Sequence, residues 1–187
     1  MAHFVIFFVF FSLINFSTDP AWATYPSPDI AHWELSVSDE RKDPDYPKVQ
    51  NLVDQKKYDA ALAALDKKIK ELPKEATPVI LKAIVLHEMG KSKEALDSLL
   101  MGFKMERQHP ALHFAFCQIY RKLGNAKTSE RACIISSEQH HQNPLAHYEY
   151  AQTLIAMGSA ELALKELIQA AALDPENTTY PYEKGLI

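Results

Sequence analysis

The chain has 187 residues and a formal charge of −4, with 20 Lys and Arg against 24 Asp and Glu. That length limits it to one domain or one short repeat array. A mild acidic excess with no basic run excludes a nucleic-acid footprint.

Residues 1–23 differ from all that follows. Residues 4–16 hold no charged side chain, and Ala21, Trp22 and Ala23 supply a small-residue cleavage pattern. An apolar run before such a site reads as a secretory signal peptide, so export and a mature N-terminus at Thr24 are expected. The segment before the run has no Lys or Arg, only His3. An uncleaved anchor is the competing reading. As a helix, about 13 apolar residues span roughly 20 Å, short of the ~30 Å hydrocarbon core, so no stable membrane span is expected after cleavage. No Cys stands at the cleavage point, and a lipid-anchored form is not indicated. Residues 24–41 contain Pro26, Pro28, Ser27, Ser36 and Ser38 without a sustained period, and read as a linker or N-terminal arm. Trp33 is expected to pack on the first repeat and cover its apolar end, with a partner contact as the alternative.

From residue 42 the apolar residues fall into four similar stretches. In 42–75, Val49 and Leu52 precede Tyr58, Ala60, Ala61, Leu62 and Leu65, and Pro73 ends the stretch. Residues 45–55 make the poorest helix of the set, although Pro47 is tolerated in a first turn, where its missing N–H would be unpaired anyway. Residues 59–71 make a convincing one, with Lys67, Lys68 and Lys70 on a solvated face. In 76–109 the pattern returns as Ala83, Leu86, then Met89, Gly90 and Lys91, then Ala95, Leu96 and Leu99. In 110–143 it is Phe116, Cys117, Tyr120, then Leu123, Gly124 and Asn125, then Cys133. In 144–177 it is clearest: Tyr148, Ala151, Leu154 and Ile155, a break at Gly158 and Ser159, then Ala163, Leu164, Leu167, Ala170 and Ala171, with Asp174 and Pro175 ending the second run. Two short amphipathic helices joined by a tight turn fit this pattern. Small residues at Ala151, Ala163 and Ala170 let the two helices approach closely.

The period is 34 residues with no insertion. A fixed period of this length, with helix, turn and helix in each unit, resembles the tetratricopeptide repeat (TPR). The resemblance implies an all-α fold: a right-handed α-solenoid of about four TPR-like units, 42–75, 76–109, 110–143 and 144–177. His113 and His147 stand in place of the family's signature aromatic near each first helix, and Ala83, Cys117 and Ala151 replace its first-helix Gly. Residues 178–187 form a tail or a partial capping helix, in which Tyr182 and Gly185 look like the start of another first helix. Helical repeats expose an apolar end unless a polar cap covers it, and Leu186 and Ile187 are not polar. Either the tail folds back, or another copy or protein completes the stack, so end-to-end self-association is open. Asn177, Thr178 and Thr179 match a glycosylation acceptor, relevant only in a eukaryote.

No nucleophile–base pair, phosphate loop or complete metal motif appears, so neither catalysis, cofactor nor metal is expected. His87 and Glu88 open like a zinc-protease motif, but Lys91 stands where the second His is needed. His109, His113, His140, His141 and His147 cluster in sequence without a carboxylate or thiolate at supporting spacing. They are expected to be surface and helix-end residues, and a histidine-based metal carrier is the remotest reading. Cys117 and Cys133 lie on inward faces of one unit. Export would permit a disulfide. With Cys117 facing Ser129, however, Cys133 falls about one turn, ~5 Å, further along, and helix axes pack some 8–10 Å apart, whereas a bridge wants Cα atoms within ~7 Å. Two buried thiols are expected.

By the same resemblance, TPR arrays are binding modules whose first helices line a concave groove. Laying the first helices in register points Ile80, Ile84, Phe114, Gln118, Arg121, Tyr148, Gln152 and Ile155 towards that groove. Relatives that clamp a C-terminal carboxylate use Lys, Asn and Arg; only Arg121 fits that set, so such a clamp is not expected. An apolar, aromatic groove suits a protein or peptide with an apolar segment. The expectation is an exported adaptor or assembly factor. The alternative is a permanent structural subunit of an envelope or secreted complex.

Overall fold

The computed structural model describes residues 45–177 and Tyr180. The expected signal at 1–23, the arm at 24–41 with Trp33, and the tail residues Tyr182, Gly185, Leu186 and Ile187 lie outside the described residues. Among the described residues there are eight helices and no strand: α1 Tyr46–Asp54, α2 Tyr58–Glu71, α3 Thr77–Glu88, α4 Ser92–Met105, α5 Ala111–Lys122, α6 Ala126–Gln139, α7 Pro144–Ala156 and α8 Ala160–Leu173.

The second helices start at residues 58, 92, 126 and 160, in steps of 34. The turn before each is built identically. One residue takes a left-handed φ, at Lys56, Gly90, Gly124 and Gly158. The next amide reaches back to close the helix: Lys57 to Leu52, Lys91 to Leu86, Asn125 to Tyr120 and Ser159 to Leu154, at 2.8–2.9 Å. This is the Schellman closure, which satisfies carbonyls that a helix end otherwise leaves bare.

Each second helix presents a narrow seam to its first helix. Ala61 and Leu65, Ala95, Leu99 and Gly102, Ser129, Cys133 and Ser136, and Ala163, Leu167 and Ala170 occupy matching positions, all buried. Small side chains at this line bring backbones together. A Cβ on Gly102 would lie 2.7 Å from Ile80 Cγ1, so glycine is required there by space.

The same closeness corrects the cysteine expectation. Cys117 and Cys133 are joined in a disulfide, with Cα atoms 4.9 Å apart. Cys117 does not sit opposite Ser129 alone. It fits between Ser129 and Cys133, one turn apart on α6, and Ser129 Oγ donates to the Cys117 carbonyl at 2.6 Å. With only small residues at the contact, facing Cα atoms, each about 2.3 Å off its own axis towards the partner, come within the ~7 Å a bridge needs even at an ordinary interaxial distance.

Lys68 is a second correction. It is largely buried rather than solvated, and its Nζ lies 2.8 Å from Asp45. Hydrogen bonds from Lys48 and Lys68 hold the Asp45 carboxyl down to about 2. The core forms two clusters. One runs from Tyr46 to Ala146, and the other joins Tyr148, Ala151, Leu154, Ala163, Leu167, Ala170 and Tyr180. No helix among the described residues is long and apolar enough to cross a membrane.

Candidate binding groove

Residues three or four apart on a helix share a face. Ala83, Cys117 and Ala151 face the second helices, so Ile80, Phe114 and Tyr148, three residues earlier, turn the same way. All three are buried. Ile80 packs on Gly102, and the Tyr148 ring lies 5.4 Å from that of Tyr180. The expectation that these side chains line an open groove is therefore corrected: they are core. Ile84 and Gln118 are buried as well, Arg121 and Gln152 are half-buried, and Ile155 is 37% exposed.

The next register on the first helices is Gln50, Ile84, Gln118 and Gln152, followed by Val53, His87, Arg121 and Ile155. Between α1 and α3 this face is apolar. A cavity of about 10 Å³, the size of one water, is lined there by Tyr46, Val49, Gln50, Val53, Leu81, Ile84 and Val85. Towards α5 and α7 it becomes polar. Arg121 Nη2 donates to Glu149 Oε2 at 2.6 Å, tying α5 to α7. The Glu149 side chain is 4% exposed and that of Arg121 30%. On α3, burial drives the His87 imidazole down to about 4; Glu149 opposes that shift, and Arg121 and Lys122 add to it. His87 is accordingly neutral at physiological pH.

Four buried atoms in this region lack a hydrogen-bond partner: His87 Nδ1, Gln118 Oε1, Arg121 Nε and Gln152 Nε2. Such an atom costs roughly 1–3 kcal/mol, and each asks for an explanation. All four have almost no exposed surface, so they are internal polar atoms of the stacked first helices and not groups presented to solvent. Sequence reading missed His87, seen only as half of a zinc motif, and Glu149. The signal for Glu149 was a single charge in a register otherwise filled by Leu81 and Ala115.

His109, His140 and His147 are engaged by the chain, and His109, 2% exposed, is buried and not at the surface as expected. His109 Nδ1 accepts from the Ala111 amide, so its Nε2–H donates to Thr77 Oγ1 at 3.1 Å. His140 Nε2 donates to the Pro110 carbonyl. His147 sets Nδ1 against Glu166 and Nε2 against the His141 carbonyl, and its pKa is raised, chiefly by Glu166. Among the described residues no group of three or more His, Cys, Asp or Glu converges as a metal site.

No family model matches the chain. No curated protein matches its sequence. Solved structures match its shape. A TPR protein of Thermus thermophilus superposes with a TM-score of 0.68 at 14% identity, over 84% of this chain and 87% of that one. MamA (residues 41 to the end) from Desulfovibrio magneticus RS-1 gives 0.64 at 16% identity, over 86% and 85%. The first TPR of Spaghetti (RPAP3), bound to the HSP90 peptide SRMEEVD, gives 0.56 at 20% identity, over 60% and 89%. The fold is a TPR solenoid.

Proposed function

We propose that this chain is an exported TPR adaptor that holds a segment of a partner protein along the face formed by its first helices. One observation carries the reading: Arg121, Gln152 and Ile155 stand partly exposed on successive first helices, on the face that continues the apolar stretch between α1 and α3. The similar RPAP3 repeat is bound to a peptide, which supports a binding role. The buried Cys117–Cys133 bridge supports export, since disulfides persist in oxidising compartments. On this reading the array performs no catalysis.

A permanent structural subunit is the second reading. Leu100, Met101, Met105, Ile135 and Ile168, exposed on the second helices, favour it because a larger assembly would cover them. Site-specific photocrosslinking in the native exported fraction separates the two. A photoreactive residue at Gln152 or Ile155 should yield partner adducts, and one at Met101 or Ile135 should not. Adducts from the second helices alone would assign the binding surface there and end the groove reading.

A further inference from the structure

The first-helix face contains a charge pair that closes on itself. Arg121 is the cation on the first-helix face that an acidic ligand would seek, yet Glu149 of the neighbouring first helix already holds it at 2.6 Å. We propose that Glu149 is a specificity-determining counter-ion: it keeps the groove's centre neutral, fits it to an uncharged internal stretch of a partner chain, and turns away acidic chain ends. The proposal deepens the adaptor reading and rests on it.

Burial makes the pairing exclusive. A ligand carboxylate competing for Arg121 would leave Glu149, 4% exposed, buried without its cation, and an unpaired buried charge is among the costliest states a site can adopt. His87 stays neutral through burial, and the other cation that acts on it, Lys122, is exposed at the end of α5, where water and salt screen it. Gln118 and Gln152, in equivalent places on α5 and α7, are uncharged and add no positive charge for a carboxylate to seek.

The acidic heptapeptide SRMEEVD with a free C-terminus is the probe, titrated at low salt into the wild-type chain, Glu149→Gln and Glu149→Leu, each checked by circular dichroism. Releasing Arg121 should tighten binding of this peptide at least tenfold over wild type in both variants, and adding Arg121→Gln should remove the gain. Equal binding by wild type and a folded variant, or a gain that survives Arg121→Gln, overturns the proposal. If one variant does not fold, the other decides. If neither folds, Glu149 is a packing residue and the proposal falls. Crosslinking from Gln152 in the wild type separates failures: adducts there without any gain sink the selectivity alone, whereas absence of adducts sinks the groove itself.

Discussion

Lys56 holds the left-handed turn that Gly90, Gly124 and Gly158 hold in the later units, with φ of 56° against 75–76°. A side chain in that conformation costs roughly 1–2 kcal/mol, and glycine gives part of this back as unfolded-chain entropy. Lys56→Gly should therefore stabilise the array, by about 0.5–1 kcal/mol. A denaturation midpoint at or below wild type would show that Lys56 contributes a contact that outweighs its backbone. His87 makes the pH argument. Its folded value of about 4 lies below the ordinary ~6.5, so the unfolded chain takes up the proton first. The contribution of His87 to stability is full above pH ~6.5 and falls as pH drops towards 4, by at most about 3 kcal/mol. Glu149, Arg121 and Lys122 are the charges that act on it. His87→Leu should flatten the stability profile between pH 7 and 5, where ordinary carboxylates contribute little; an unchanged slope would place His87 in solvent.

At the scale of the helix pair, the third unit is held by more than packing. Thr153 of α7 donates to Ser129 Oγ at 2.9 Å, Ser129 donates to the Cys117 carbonyl, and Thr153 Oγ1 lies 3.2 Å from Cys133 Sγ. The bridge closes a sequence separation of 16, for which loop entropy gives about 3 kcal/mol. Cys117→Ser with Cys133→Ser should lower stability by about that much and raise amide exchange first in α5 and α6. Loss spread evenly over all helices would contradict a local staple. The helix pairs themselves were legible in sequence because a 34-residue period and three turn glycines are local signals. The bridge was not, because a separation of helix axes was set against a limit on Cα atoms, and facing Cα atoms each stand about 2.3 Å nearer the partner than the axis does. Nor was the groove. Phe114 and Tyr148 looked like ligand-facing rings, but their spacing of three from Cys117 and Ala151 puts them on the seam. Glu149 and Arg121 belong to different units, and only the stacking of α5 on α7 makes them partners.

Stability is uneven along the whole array. The larger cluster runs from α1 into the start of α7, whereas the last pair has a smaller one of its own, closed by Tyr180. Helix α7 belongs to both. Beyond its packing it is tied back to α5 and α6 by Arg121–Glu149 and by the Ser129 and Thr153 hydroxyls. Among the described residues, helix α8 has no such ties to earlier units. His147 bonds it through Glu166, Ala163, Leu167 and Ala170 bury its seam, and Leu162, 54% exposed, and Ile168 face outward. In a stack where each unit contacts only its neighbours, damage at one end stays there while the rest holds. Ala163→Arg puts a charge into the closest approach of α7 and α8, at a cost of several kcal/mol if the charge stays buried. Local release of α8 is cheaper than that. Hydrogen exchange of this variant should show α8 unprotected and the C-terminal end of α7 weakened, with α2 to α6 near wild type. Circular dichroism should lose about one helix's worth of signal. If protection falls equally from α2 to α8, the array folds as one indivisible unit and the boundary between the two clusters has no energetic meaning.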